Sequence, residues 1–500
     1  MEIKYNRKSV VPFLLEHIAS DPVSFHMPGH KGSRIYRENG YGEILEALME
    51  CDITEIPGAD NLFHTEGVIL ETMHRYRELY ESKESYILIN GSSAGLIAAV
   101  MTTVPQGGKL VMARNCHKSI YNAVSMAGGT PVYAYPEIVE GYGISGAVTA
   151  EEVRRLIEEN PDCSACILPS PNYYGICSDI EAIAEVVHKA GKVLIVDQAH
   201  GAHLKFFDRY APYGEPMAAE NLGADIVINS THKTLASFTQ TAVVNICSDR
   251  IDKYAFEDKL QLIESTSPSY ALMASLDVNA MLMENEGERL IGEWRRNVDW
   301  FKSASVAVPG LKIMEHPLLD DTKINLDMSA YGLDGLALEE KLRAEGIFSE
   351  LATSNVTMCM TGIGNTRGDY ERLLAALEKI AGDLEARAND NTADSVEAMT
   401  KSVSEDSQAR VELKPQEPVM LPNKILKQVG IPAEKERVPL EEGSGRVCAF
   451  PIIPYPPGIP VVCPGEIIDD EILDYVKELR ARGVNVMGID DLGRITVGKE

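Results

Sequence analysis

Lys192–Thr241 decides the fold: KVLIVDQAHGAHLKFF, a polar turn with Pro and Gly, then GADIVINSTHKTLASFTQT. KVLIVD is a short β-branched run that starts after a Gly and ends in an acid, the pattern of a buried strand. DIVINS is a second such run, and it breaks into Thr231-His232-Lys233-Thr234. One strand therefore delivers a carboxylate, Asp197, at its C-terminal end, and the other delivers an amine, Lys233, just past its own. Ligands of open α/β sheets bind at such strand ends. A lysine flanked by Ser230, His232 and Thr234 suits an imine with an aldehyde cofactor whose phosphate the hydroxyls hold. An aspartate on the neighbouring strand suits a protonated pyridine nitrogen. The two together match the needs of pyridoxal 5'-phosphate as an electron sink. Taken singly, each residue reads better as a surface lysine or a helix-capping aspartate; the pair, with its hydroxyls and histidines, favours the cofactor.

Outward from this stretch, strands and helices alternate. The strands are SYILIN, KLVMA, PVYAYPE, SACILPSP, KVLIVD, DIVINS and AVVNI, with AGLIAAVMTTV, SIYNAVSMAG, AEEVRRLIEEN and DIEAIAEVVHKAG as helices between them. This predicts an α/β fold with a mostly parallel seven-stranded sheet covered on both faces. Gly91-Ser92-Ser93-Ala94-Gly95 follows the first strand and opens a helix, so small residues and free N–H groups form a phosphate seat. His117, after the next strand, either stacks on a cofactor ring or caps a helix. His200, three residues past Asp197, faces the same crevice.

The chain has 500 residues, 45% of them hydrophobic, enough for two or three globular domains. Its 47 basic and 75 acidic residues give a formal charge of −28, which argues against nucleic acid or an anionic membrane as partner. The nine cysteines lack a disulfide-framework spacing, and Cys163-Ser-Ala-Cys166 leads into a strand without a second pair, so no metal is expected. A reducing, cytoplasmic setting fits, and the N-terminus has no signal-peptide layout. His26 and His30 are separated by Pro28-Gly29 and cannot share a helical face. A turn placing one of them near a pocket and a purely structural turn both fit.

The expected domains are 1–80, an N-terminal arm with helices; 81–290, the large domain; 291–383, a small α/β domain; 384–418, a polar linker or exposed hairpin; and 419–500, a C-terminal domain with the Pro-rich loop CAFPIIPYPPGIPVVCPGE. Consecutive prolines pre-order that loop, which suits a rigid pocket wall.

Eight motifs in register, HMPGHKGS, DITEIPGADNLF, GSSAG, RNCHKS, VDQAHGAH, STHKTLASFTQ, STSPSY and PYPPGIPVVCPGE, resemble the bacterial Orn/Lys/Arg decarboxylases. Those are pyridoxal-phosphate enzymes of the aspartate-aminotransferase fold type (fold type I). The chain resembles the shorter members, without the N-terminal response-regulator-like domain, and the likeness implies smaller α+β C-terminal domains. It also implies that pyridoxal 5'-phosphate is bound covalently on Lys233, with Asp197 on the pyridinium nitrogen, His117 stacked on the ring and His200 near its phenolate edge. Ser92, Ser93, Ala94, Ser230 and His232 would hold the phosphate. Ser265 or Thr266 would reach the phosphate in the partner subunit's site, so a homodimer or higher even oligomer with shared active sites is implied. The proton returned to the substrate would come from Lys233 or His232.

The implied activity is decarboxylation of a basic amino acid, arginine or lysine ahead of ornithine, in polyamine biosynthesis. Two departures stand out. Gln198 replaces a Glu common after the essential acid, and Phe450 stands where members often carry a Glu suited to the substrate's distal cation. Glu441, Glu442, Asp60, Asp52 and Glu55 are the candidate replacements. The rival readings are another fold-type-I enzyme (a decarboxylase of a less polar amino acid, an aminotransferase or a lyase) and a non-catalytic regulator.

Overall fold

The computed structural model describes residues 9–399, 426–455 and 460–499. The chain opens with helices α1 (Val10–Ala19), α2 (Arg34–Glu38) and α3 (Val68–Tyr80). Helix α1 buries only Pro12, leaving Phe13 and Ile18 63% and 70% exposed, so its apolar face has no partner within the described chain. Between α2 and α3 a five-residue helix, Gly42–Glu46, is followed by the acidic arm, which is irregular over 52–67. Asp60 ends it by accepting from the backbone N–H groups of Asn61, Glu66, Gly67, Ile69 and Leu70, which closes the N-terminus of α3.

All seven expected strands are present: β1 (Glu84–Leu88), β2 (Lys109–Ala113), β3 (Thr130–Ala134), β4 (Cys163–Pro169), β5 (Val193–Asp197), β6 (Ile226–Asn229) and β7 (Ala242–Ile246). They form one sheet in the order β1-β7-β6-β5-β4-β2-β3. Only β7 runs against its neighbours. Their near-continuous Val, Ile and Leu content follows from burial on both faces, as the parallel arrangement requires. Helices α4 (Gly91–Thr103) and α5 (Lys118–Met126) follow β1 and β2 directly. The register pairs Asp197 with Pro169 on one side and Ile228 on the other, so β4, β5 and β6 end level and their following residues converge.

Helix α6 (Tyr270–Ser305) starts after the expected break at Ser265–Pro268 and runs for 36 residues. The expected domain boundary at 290/291 falls inside this helix, where buried Leu290 and Ile291 keep its apolar stripe continuous. Beyond it, Lys312–Ile313, Lys323–Asp327, Val356–Met360 and Leu351–Thr353 form a four-stranded antiparallel sheet. Helix α7 (Arg367–Met399) covers the whole first part of the segment expected to be a linker, so 384–399 is helical. Its residues are mostly good helix formers with neither Pro nor a stop glycine, a pattern that the polar composition masked. The rest of that segment, 400–418, lies outside the described residues, as do 456–459 of the Pro-rich loop.

The C-terminal part has its own core around Val438, Leu440, Val462, Ile472 and Val497. It is joined to the large sheet by Arg114, which follows β2: its Nε and Nη2 make a two-pronged contact with the fully buried Glu466, both at 2.8 Å, and Nη1 donates to Pro460 O at 2.7 Å. Among the described residues, no helix is long and apolar enough to cross a membrane.

Candidate active site

A cavity of about 520 Å³ opens at the C-terminal ends of the strands. Ser92 and Ser93 reach it from the first turn of α4, His117 from the end of β2, Asp197 and His200 from the end of β5, and His232 and Lys233 from the turn after β6. Gly91 starts α4 with φ +78°, a conformation that costs a side-chain-bearing residue. It lets the chain reverse from strand to helix and point successive N–H groups at the cavity.

Lys233 Nζ lies 2.8 Å from His200 Nε2. Burial lowers the pKa of Lys233, opposed by Asp197 and then Glu350. Burial raises the Asp197 carboxyl, and Lys233 counters it. The imidazole of His200 is pushed well below its usual pKa by burial and by Lys233, so it is neutral. His117 is lowered to about 3 and His232 to about 4, in both cases chiefly by burial.

Two of these histidines have readable tautomers. His232 Nδ1 lies 2.6 Å from Thr241 O, and a carbonyl only accepts, so the proton is on Nδ1 and Nε2 carries the lone pair. His117 Nδ1 accepts from the Ser119 N–H at 3.3 Å, so its proton is on Nε2. His117 thus fills the capping role open in the sequence, at the start of α5, and it lines the cavity as well.

Behind the Lys233 turn lies a polar network that the sequence reading did not identify. His203 Nδ1 meets Thr234 Oγ1 at 3.2 Å, and its Nε2 meets Asp320 at 3.0 Å. Lys323, fully buried, donates to Asp320 at 3.1 Å and to the His200 carbonyl at 3.0 Å. Burial alone would raise the Asp320 carboxyl, but Lys323 and His203 hold it well below its ordinary value. Gln198 belongs to the scaffold: it bonds Glu220, Asn229 and the Ala219 N–H at 2.9, 3.0 and 2.8 Å, tying β5 to β6.

The opposite wall comes from His26 and Met27 and from Ser349, Glu350 and Leu351. It settles the open reading of the first loop: His26 lines the cavity, whereas His30 folds back onto Gly32. Glu350 Oε2 accepts from the Met27 N–H at 2.9 Å, joining the two segments. Gly29 holds this loop against the lysine turn. A Cβ there would lie 2.4 Å from Leu235 O, and its N–H donates to His232 O at 2.7 Å. Glu350 carried no local motif, and only the fold brings it here.

Four expected cofactor residues are not on the cavity wall of their own chain. Ser230 is fully buried and reaches it through Ser92, whose Oγ is 2.9 Å from its own. Ala94 points into the core at 2% exposure. Ser265 and Thr266 are exposed in the break before α6 and touch no part of this cavity. The candidates for the distal cation also sit elsewhere: Asp60 caps α3, Glu441 and Glu442 are on an exposed 3-10 turn, and Asp52, Glu55 and Phe450 do not line the cavity.

The donor set fits pyridoxal phosphate. A buried carboxylate faces a buried amine, serines and the start of a helix suit a phosphate, and a flat neutral imidazole adjoins them. His200 Nδ1 is buried without a partner, a cost of about 1–3 kcal/mol that an acceptor on a bound ring would relieve.

The comparisons agree. The model of the Orn/Lys/Arg decarboxylase major domain matches residues 10–324, and that of the C-terminal domain matches 405–490. An arginine decarboxylase of Bacillus subtilis is 30% identical over 97% of both chains. A lysine decarboxylase of Pseudomonas aeruginosa is 25% identical over 93% of this chain and 75% of its own. The solved lysine decarboxylase of Francisella novicida superposes with a TM-score of 0.71 at 22% identity, covering 94% of this chain and 78% of its own, and so shares the fold. With the family's major-domain model spanning the cavity-bearing sheet and a full-length relative at this identity, the chain belongs to the Orn/Lys/Arg decarboxylase family.

Proposed function

We propose that this amino-acid decarboxylase acts on a basic amino acid, arginine or lysine ahead of ornithine, with pyridoxal 5'-phosphate carried on Lys233. Asp197 would hold the ring nitrogen, His117 would lie on the ring, and Ser92, Ser93 and the start of α4 would hold the phosphate. When bound, that group supplies an electron sink for the pair left on Cα as the carboxylate departs.

The chain's own groups do the rest. Burial favours the free amine of Lys233, the form needed as a nucleophile. Neutral His200, whose Nε2 lies 2.8 Å away, accepts a hydrogen bond from that amine and orients it. Lys233 is also the donor to Cα, because neutral His232 has its one proton committed to Thr241 O. Pro169, Pro171 and Leu351 give the cavity an apolar side that keeps water from the reacting carbon.

The observation that carries this reading is the cavity's charge inventory. Asp197 and Glu350 are its carboxylates, and among the described residues lining it there is no arginine to clamp a substrate carboxylate. An unclamped carboxylate is free to leave, whereas transamination has to retain it. Glu350 is then left for the substrate's distal cation, which would cost several kcal/mol if buried unpaired. The test is incubation with a panel of amino acids, with amines read by mass spectrometry and CO2 by trapping. Agmatine, cadaverine or putrescine with matching CO2 is expected, and a keto acid product would overturn the reading.

Exposed Ser265 and Thr266 support a shared site, in which they complete the phosphate seat of a second subunit within a homodimer or higher even oligomer. Mixing Lys233→Ala chains with chains altered at Thr266 should restore part of the activity through hybrid dimers. Full activity in a monomeric fraction would contradict this. The amine products belong to polyamine biosynthesis in the cytoplasm.

A further inference from the structure

Two lysines meet at His200, one on its ring and one on its backbone. Its Nε2 lies 2.8 Å from Lys233 Nζ, and its carbonyl accepts from Lys323 Nζ at 3.0 Å. Lys323 opens the second strand of the small sheet, and its side chain is fully buried together with that of Asp320, its counterion at 3.1 Å. Asp320 is held in turn: the Thr322 hydroxyl donates to it at 2.7 Å and the Thr322 N–H at 3.0 Å. Burial lowers the pKa of the His203 ring. A carboxylate only accepts, so this neutral ring, 3.0 Å from Asp320, carries its proton on Nε2, and its Nδ1 accepts from the Thr234 hydroxyl at 3.2 Å. One chain of contacts therefore runs Thr234–His203–Asp320–Lys323–His200. It fastens both the residue after Lys233 and the residue that holds the Lys233 amine.

Stability does not account for the buried ion pair. Taking two charges out of water offsets their attraction, so such a pair gains little over apolar side chains of the same volume. Its position relative to Lys233 is more telling. Asp197 at the end of β5 and Glu350 on the opposite wall favour the ammonium form of Lys233, and Lys323 opposes them. The imidazoles of His117, His200 and His232 around it are neutral.

We propose that Lys323 is a positioning residue for Lys233: from the small sheet it fixes the His200 backbone, and its buried positive charge holds the neighbouring amine in the free form against two carboxylates. The inference rests on Lys233 being the reacting amine. Attack on an aldehyde or imine carbon needs the free amine, and a second cation beside a lysine is one way to supply it. Asp320, Thr322 and Lys323 belong to the small sheet, whereas His200 and Lys233 follow strands of the large one. The charge on the amine thus depends on how the two sheets are seated.

Trace acetylation with acetic anhydride over a pH series, read by peptide mass spectrometry, gives the titration midpoint of Lys233 in the full-length, cofactor-free chain without any turnover. Exposed Lys379 is the internal reference. The parent midpoint for Lys233 should lie below that of Lys379. Lys323→Met with Asp320→Asn removes both charges at nearly constant volume. It should raise the Lys233 midpoint by about one pH unit, the lower end of what a nearby charge does, so that the free-amine fraction at a given pH falls about tenfold. Lys323→Gln with Asp320→Asn is a second neutral pair with the same expected shift, for use if the first does not fold. Lys323→Arg, which keeps the charge, should leave the midpoint close to the parent's. Equal midpoints for Lys233 and Lys379 in the parent, a neutral pair that lowers Tm without moving the midpoint, or an equal rise in Lys323→Arg would overturn the proposal. Borohydride treatment of the holoenzyme keeps the premise separate. Labelling of a lysine other than Lys233 would remove it, whereas a labelled Lys233 with an unmoved midpoint would overturn the role of Lys323 alone.

Discussion

The two walls of the main cavity are built differently. The sheet wall (Ser92, Ser93, His117, Asp197, His200 and Lys233) consists of Asp197 at a strand end and of residues a few positions past buried strands, whose ladders anchor the turns that carry them. The loop wall (His26, Met27, Ser349, Glu350 and Leu351) is held by a few long-range contacts, with Met27 and Glu350 joined across 323 positions of sequence. The sheet wall supplies groups whose charge is set by burial, which is what bond-breaking chemistry needs. The loop wall supplies one carboxylate on a less constrained support, which suits recognition of the part of the substrate that does not react. The division of rate from specificity between the two walls is what the first two substitutions below test.

Lys233→Ala gives the largest effect. Activity should fall by roughly 10³-fold or more, the upper part of the range for a proton-transferring side chain. Borohydride should fix the cofactor on the Lys233 peptide of the parent and on no peptide of the variant; labelling of another lysine would put the chemistry elsewhere. Next, Glu350→Gln should raise KM for arginine or lysine by about 10–100-fold, or about 1.4–2.8 kcal/mol, and leave kcat for a neutral analogue of equal length nearly unchanged. A loss in kcat alone would move Glu350 to the chemical side and dissolve the comparison.

The smallest effect is on acid stability. His117 is lowered to about 3 in the fold from an ordinary 6.5, so below 6.5 the unfolded chain binds the proton that the folded chain refuses. Its contribution is complete above pH 6.5 and is lost as the pH falls toward 3. His117→Asn, which keeps a capping side chain, should flatten the fall in Tm between pH 7 and pH 4 by a few degrees. Identical slopes for parent and variant would show that the ring is not buried as described.

The sheet wall was legible in the sequence because its signals are local: a β-branched run, a terminal acid or hydroxyl, then a small-residue turn. Lys233, Asp197 and the GSSAG turn could be placed from their own neighbours. Glu350 was not legible, because nothing beside it marks a function and its importance comes from Met27. The same limit turned the search for the distal partner toward Glu441, Glu442 and Asp60, which are near motifs in sequence but do not line the cavity of their own chain. The linker-or-hairpin reading departs from the structure over 384–399 for a different reason: polar composition masked the helix propensity that carries α7 onward.

The clasp between Arg114 and Glu466 joins residues 352 positions apart. At roughly 5–20 residues per second of synthesis, about 20–70 s separate the emergence of its two halves. Through that interval Arg114 is a guanidinium without its counterion, beside the strand that delivers His117. A message truncated before Glu466 would yield a chain with the sheet, the lysine and the aspartate all present and the latch missing. The sheet wall is in that sense closed by a residue synthesised long after it.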